Sequence, residues 1–109
     1  LTIEYKRNIG IVMKKYGTKE LRKKFGKLTL GLALKSQRIS EEMTKSEFSE
    51  VLGISVPSLS DLEKGRRIPS PGRAMEIAKK LGEPKAYWIQ LALQDKLREE
   101  KIDLIVTVA

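Results

Sequence analysis

The side chains best able to do chemistry in this sequence are gathered between Lys45 and Arg67. Hydroxyls stand at Ser55, Ser58 and Ser60, a carboxylate at Asp61, and cations at Lys45, Lys64, Arg66 and Arg67. These groups donate and accept hydrogen bonds and pair with charges. The chain has no histidine, which removes the usual general base and the commonest metal ligand. It has no cysteine, so thiolate chemistry, disulfides and thiolate-held metals are absent as well. No metal-ligand cluster or phosphate-cradling loop is visible. Glu99 and Glu100 read as a solvated helix end rather than a catalytic pair. The expectation is a protein that recognises a partner and is not an enzyme, with no catalytic residue, no cofactor and no metal site.

Those recognition groups need elements to hold them, and the sequence around them is punctuated for short helices. Thr44-Lys45-Ser46-Glu47 is a capping box, with Thr as N-cap and Glu three residues on. The helix it starts holds Phe48, Val51 and Leu52 and stops at Gly53, a residue suited to the left-handed backbone of a helix end. Only Ile54 separates that stop from Ser55, the next N-cap, and Pro57 sits in the first turn of the following helix. Two helices joined by so tight a turn cross steeply. Ser49 is small where they must approach, and Ile54 plugs the angle between them. Leu59 and Leu62 anchor the second helix, which leaves Val56, Pro57, Ser58, Ser60, Asp61 and Lys64 facing out.

Further helices surround this pair. Leu30, Ala33, Leu34 and Gln37 share one helical face, and a polar stretch from Gln37 to Glu42 follows. Ser70-Pro71 restarts a helix with Ala74, Ile77, Ala78 and Leu81 inside and Gly82 at its end. Pro84 opens the last helix, which buries Trp88, Leu91 and Ala92 in the core or a dimer interface. Ile102 to Val108 is apolar and mostly β-branched, and reads as a strand. Residues 1 to 17 carry weak signals, and Thr18 to Phe25 reads as a short helix ended by Gly26. The fold expected is all-α: about five helices and a C-terminal β-strand. It divides into a basic N-terminal arm over 1–28, a helix-turn-helix core over 29–82, and a C-terminal helix and strand over 83–109 for dimerisation.

Charge points to a polyanion. Residues 1 to 28 hold nine Lys or Arg against Glu4 and Glu20, which is +7 of the net +8. Such an arm suits nucleic acid, with a solubilising tail as the alternative. No apolar run approaches the roughly 20 residues that span a bilayer, and no signal-peptide pattern opens the chain. A cytoplasmic protein without membrane contact is expected.

The run from Thr44 to Pro69, with Ser58-Leu59-Ser60-Asp61-Leu62-Glu63-Lys64-Gly65 at its heart, resembles the Cro/C1-type (XRE) helix-turn-helix family, and Ala74 to Gly82 continue the resemblance. It covers roughly residues 29 to 82 and implies a lambda-repressor-like domain. The helix starting at Thr44 would lie across a DNA backbone and the helix starting at Ser55 would enter the major groove. Val56, Pro57 and Asp61 would sit nearest base edges, with Val56 and Pro57 limited to apolar contacts and Asp61 able to accept from cytosine. Ser55, Ser58 and Ser60 lie on the same helix, and Ser58 and Ser60 could bond bases or phosphates. Lys64, Arg66 and Arg67 fall where the family contacts phosphate. Lys45 stands where many members carry Gln, and so suits phosphate; Ser49 stands where many carry Ala. An acid at Glu63 is structural in the family and is not expected to read bases.

The resemblance further implies a transcriptional repressor of a double-stranded DNA operator, working as a homodimer. Its short length suits an antitoxin-like autorepressor of its own operon, with a toxin protein as a possible partner, or a phage-type repressor. A rival class is a protein-binding module with little DNA binding. The strand from Ile102 to Val108 is expected to pair with its own copy across a two-fold axis, with pairing to Thr2–Tyr5 inside one chain as the weaker alternative.

Overall fold

The computed structural model describes residues 2–5, 11–15 and 28–108. Among these residues five helices follow one another: α1 (Leu30–Ser40), α2 (Lys45–Leu52), α3 (Val56–Glu63), α4 (Pro71–Leu81) and α5 (Lys85–Glu99). Three strands, β1 (Thr2–Tyr5), β2 (Ile11–Lys15) and β3 (Leu104–Val108), make one antiparallel sheet in the order β1-β2-β3. The expected helix over Thr18–Phe25 lies outside the described residues.

Local chemistry sets the helix ends. Thr29 caps α1 by accepting from the Leu32 N–H at 3.1 Å. At α2 the capping box is complete: Thr44 Oγ1 accepts from the Glu47 N–H at 3.1 Å, and the Thr44 N–H donates to Glu47 Oε1 at 2.9 Å. These bonds hold the Glu47 carboxyl below its ordinary pKa. Gly53 closes α2 at φ +68°, a backbone that side chains with a Cβ rarely adopt. Ser55 and Ser70 cap α3 and α4, each with proline in the first turn. The caps and turn residues read from the sequence therefore stand where they were expected.

Leu30, Leu34, Phe48, Leu52, Leu59, Leu62, Ala74, Ala78, Trp88, Leu91 and Ala92 belong to one buried cluster. Trp88 is core, at 2% exposed, and its neighbour Tyr87 stands edge-on to it with ring centroids 5.9 Å apart. α5 is thus built into the same core as the helix-turn-helix. Asp95 on α5 also receives the Leu30 N–H at 2.9 Å, tying the start of α1 to the last helix. Gly31 allows a close approach. A Cβ there would run into the Leu62 carbonyl oxygen, and would stand 2.8 Å from that of Glu63. α1 can press on the end of α3 only because residue 31 has no side chain.

Two expectations about strands are corrected. Thr2–Tyr5, weighed only as a partner for the last strand, forms β1 and pairs with β2, and Ile11–Lys15 forms a strand that was not expected, because its apolar run is three residues long and ends in two lysines rather than alternating. β3 also pairs within its own chain, with β2 and not Thr2–Tyr5, in a register running from Ile11 opposite Val108 to Lys15 opposite Leu104. Part of its other edge is met by α5. Gln94, 2% exposed on α5, donates from Nε2 to the Leu104 carbonyl at 2.9 Å and accepts on Oε1 from the Val106 N–H at 2.8 Å. Residues two apart in a strand present the same edge, so one side-chain amide takes the place of a neighbouring strand.

Candidate nucleic-acid interface

α3 turns Leu59, Leu62 and Glu63 inward and leaves the rest of its length half-buried or exposed. What fixes its rotation is an ion pair that the sequence concealed. Arg38, on α1, meets Glu63 through two parallel bonds, Nε to Oε2 at 2.8 Å and Nη2 to Oε1 at 3.1 Å, with side chains only 13% and 2% exposed. The hydrogen bond that Arg38 donates to Glu63 is the chief reason the Arg38 pKa is raised above its ordinary value. Nη1 of the same guanidinium donates to the Met43 carbonyl at 3.2 Å, just before α2 begins. One planar fork therefore joins α1, the approach to α2 and the end of α3, which is the geometry arginine provides and lysine does not. Glu63 was expected to be structural, and it is. Arg38 was overlooked because it falls in a polar stretch that looked like solvent-facing turn; its signal was its helical spacing from Leu34.

A second brace acts at the tight turn. Lys80 of α4 donates to the Leu52 carbonyl at 2.7 Å, satisfying a carbonyl that the end of α2 leaves open. Buried Ser49 bonds back to the Ser46 carbonyl at 2.7 Å, and Ile54 packs on the core. The join between α2 and α3 is thereby braced from α1 and from α4.

The candidate site residues are distributed over this frame in distinct ways. The Ser55 hydroxyl is engaged in the cap, accepting from the Ser58 N–H at 3.2 Å and donating to Ser58 Oγ at 2.9 Å. Val56 and Pro57 are exposed at the start of α3. Lys45, at the start of α2, reaches across to Ser60 on α3, Nζ to Oγ at 3.1 Å. Asp61 faces out and pairs loosely with Arg66, Oδ1 to Nη1 at 3.6 Å. Lys64 and Arg67 are exposed and, among the described residues, have no acid within ion-pair distance. Arg67 and Arg73 flank a groove of about 350 Å³ that Ser58 and Ser70 also line. The surface is thus a rigid helix edge of small polar and apolar groups, with cations gathered at its exit. That pairing suits base edges on one part and phosphates on the other.

The helix-turn-helix family model matches residues 34–88, from α1 to the first turn of α5. This chain belongs to the Cro/C1-type (XRE) helix-turn-helix family, a class of DNA-binding transcription regulators. No curated protein matches the chain. Among the described residues, no helix is long and apolar enough to cross a membrane.

Proposed function

We propose that the protein is a sequence-specific repressor of its own operon, of the antitoxin-like kind, acting in the cytoplasm as a homodimer on a double-stranded operator. The observation that carries this reading is the outward edge of α3, held in rotation by the Arg38–Glu63 fork and flanked by unpaired cations. Lys45, Ser60, Lys64 and Arg67 position the helix on phosphates, and Val56, Pro57, Ser58 and Asp61 lie towards the bases. One such helix offers too few base contacts for useful specificity, so two copies are required, spaced about 34 Å apart to reach successive major grooves. The basic arm over 1–28, which includes β1 and β2, adds non-specific affinity for phosphates, and the C-terminal helix and strand are left for dimerisation or for a protein partner such as a toxin.

The test is binding of the purified chain to the duplex upstream of its own coding sequence, against a scrambled duplex, across a salt series. Tight, palindromic protection of the native duplex is expected. Each phosphate contact should add about 0.9 to the slope of log affinity on log salt. Equal, weak binding to both duplexes would defeat the repressor reading and favour a protein-binding module.

A further inference from the structure

The carboxylate of Asp61 is an odd group to present to a polyanion, and its surroundings explain it. The chain leaves α3 through Gly65 at φ +74° and folds back on the helix. The Arg66 N–H donates to the Asp61 backbone carbonyl at 2.9 Å, and the Arg67 N–H reaches the same oxygen at 3.4 Å. The Arg66 guanidinium then returns to the Asp61 side chain, Nη1 to Oδ1 at 3.6 Å. Residue 66 is therefore held at two points by residue 61, once through backbone and once through side chain.

This pair does little for the fold. Its side chains are 65% and 36% exposed, and an exposed pair of that length contributes little stability. Its effect is on presentation. One nitrogen of the guanidinium faces Asp61 on α3, and among the described residues its remaining donors have no partner, with the side chain 65% exposed. A guanidinium with free parallel donors matches guanine O6 and N7, the commonest specific contact in a major groove. Lys64 and Arg67, with no acid in ion-pair reach among the described residues, suit phosphate, where a point charge suffices.

Resting on the DNA-reading proposal above, we infer that Arg66 reads a guanine in each half-site, and that Asp61 is a positioning residue that aims it. Asp61 then neither accepts from cytosine itself nor repels the backbone, because its charge is met by Arg66.

Site selection from a randomised duplex tests this, with the parent, Arg66→Lys, Asp61→Ala and Arg67→Ala compared after thermal melts show each to be folded. Arg66→Lys keeps the charge and loses the fork. It should erase a guanine preference at one position per half-site and weaken binding to the parent operator about 5- to 150-fold, with the salt slope unchanged. Asp61→Ala should soften the preference at that same position and no other. Arg67→Ala should leave preferences intact and lower the salt slope by about 0.9. A guanine preference that survives in Arg66→Lys overturns the assignment. So does an Asp61→Ala effect at a different base pair, the mark of direct cytosine reading. A parent that selects no sequence overturns the DNA-reading proposal itself, and this inference with it.

Discussion

The two faces of α3 each carry an acid paired with an arginine, and the pairs are built in opposite ways. Glu63 on the inner face meets Arg38 through two bonds, the shorter 2.8 Å, almost out of contact with water. Asp61 on the outer face meets Arg66 through one contact of 3.6 Å in water. The same two functional groups thus do different work according to dielectric and geometry. The inner pair sets how the helix lies on the body of the protein. The outer pair sets what the helix shows to a partner. Mutations should therefore separate stability from selectivity along one helix of eight residues.

The largest expected effect is at the inner pair. Glu63→Ala leaves the Arg38 charge buried and unpartnered, and should lower stability by about 3–5 kcal/mol. In a domain of this size each kcal/mol moves the melting temperature by roughly 4–8 °C. Replacing both partners together, Arg38→Met with Glu63→Leu, should recover most of that loss. A double variant no more stable than the single one would show that the fork's three-way bonding, and not the buried charge, is what matters.

Gln94 comes next. Gln94→Ala removes both partners of the outer edge of β3. It should destabilise by about 1–3 kcal/mol for each backbone group left buried and unmet. It should also promote self-association, because an uncovered strand edge templates pairing. Sedimentation at several concentrations checks this; a variant that stays in the parent's assembly state would show that the edge is protected by something else. The result bears on the dimer too. With Gln94 on that edge, deleting β3 is expected to lower stability without dissociating the proposed dimer.

Gly31 and Gly72 offer a paired measurement. Gly31→Ala should cost about 1–3 kcal/mol, since the added methyl group must push α1 away from the end of α3. Gly72→Ala meets nothing closer than Ser70 Oγ at 3.9 Å and should be neutral or stabilising by up to about 1 kcal/mol. Equal thermal melts for the two variants would contradict the tight contact. The smallest stability change is expected at the outer pair: Asp61→Ala should stay within about 0.5 kcal/mol while operator preference shifts.

The legible part of the molecule was the part written in local chemistry. Thr44 with Glu47, Gly53, and Ser55 with Pro57 specify their helix ends through neighbours three or four residues away, so the reading unit could be placed from sequence. What escaped was long-range. Arg38 becomes meaningful only when Glu63, far along the chain, is brought beside it. Gln94 looks like any polar residue on a helix until β3 lies against α5. Gly31 gives no sign of the carbonyl it must admit. β2 lacked the clean alternation that marks a half-buried strand, and one of its two partners, β3, is at the opposite end of the sequence. The candidate site residues were chosen from sequence as types on a face, and their pairings, such as Lys45 with Ser60 and Asp61 with Arg66, come only from the structure.

The pairing of β2 with β3 also has a kinetic side. Lys15 stands opposite Leu104, which closes a loop of about 90 residues, and loops are closed at an entropic penalty that local contacts do not carry. The capped helices rely on short-range contacts and are expected to form early, while the strand that joins the two ends waits for nearly the whole chain. Native-state hydrogen exchange should then show the sheet opening at lower free energy than the core helices. The molecule would work as a quick-forming reading head fastened by a late seam, so that anything gripping the seam could loosen the ends while the DNA-facing helices keep their shape.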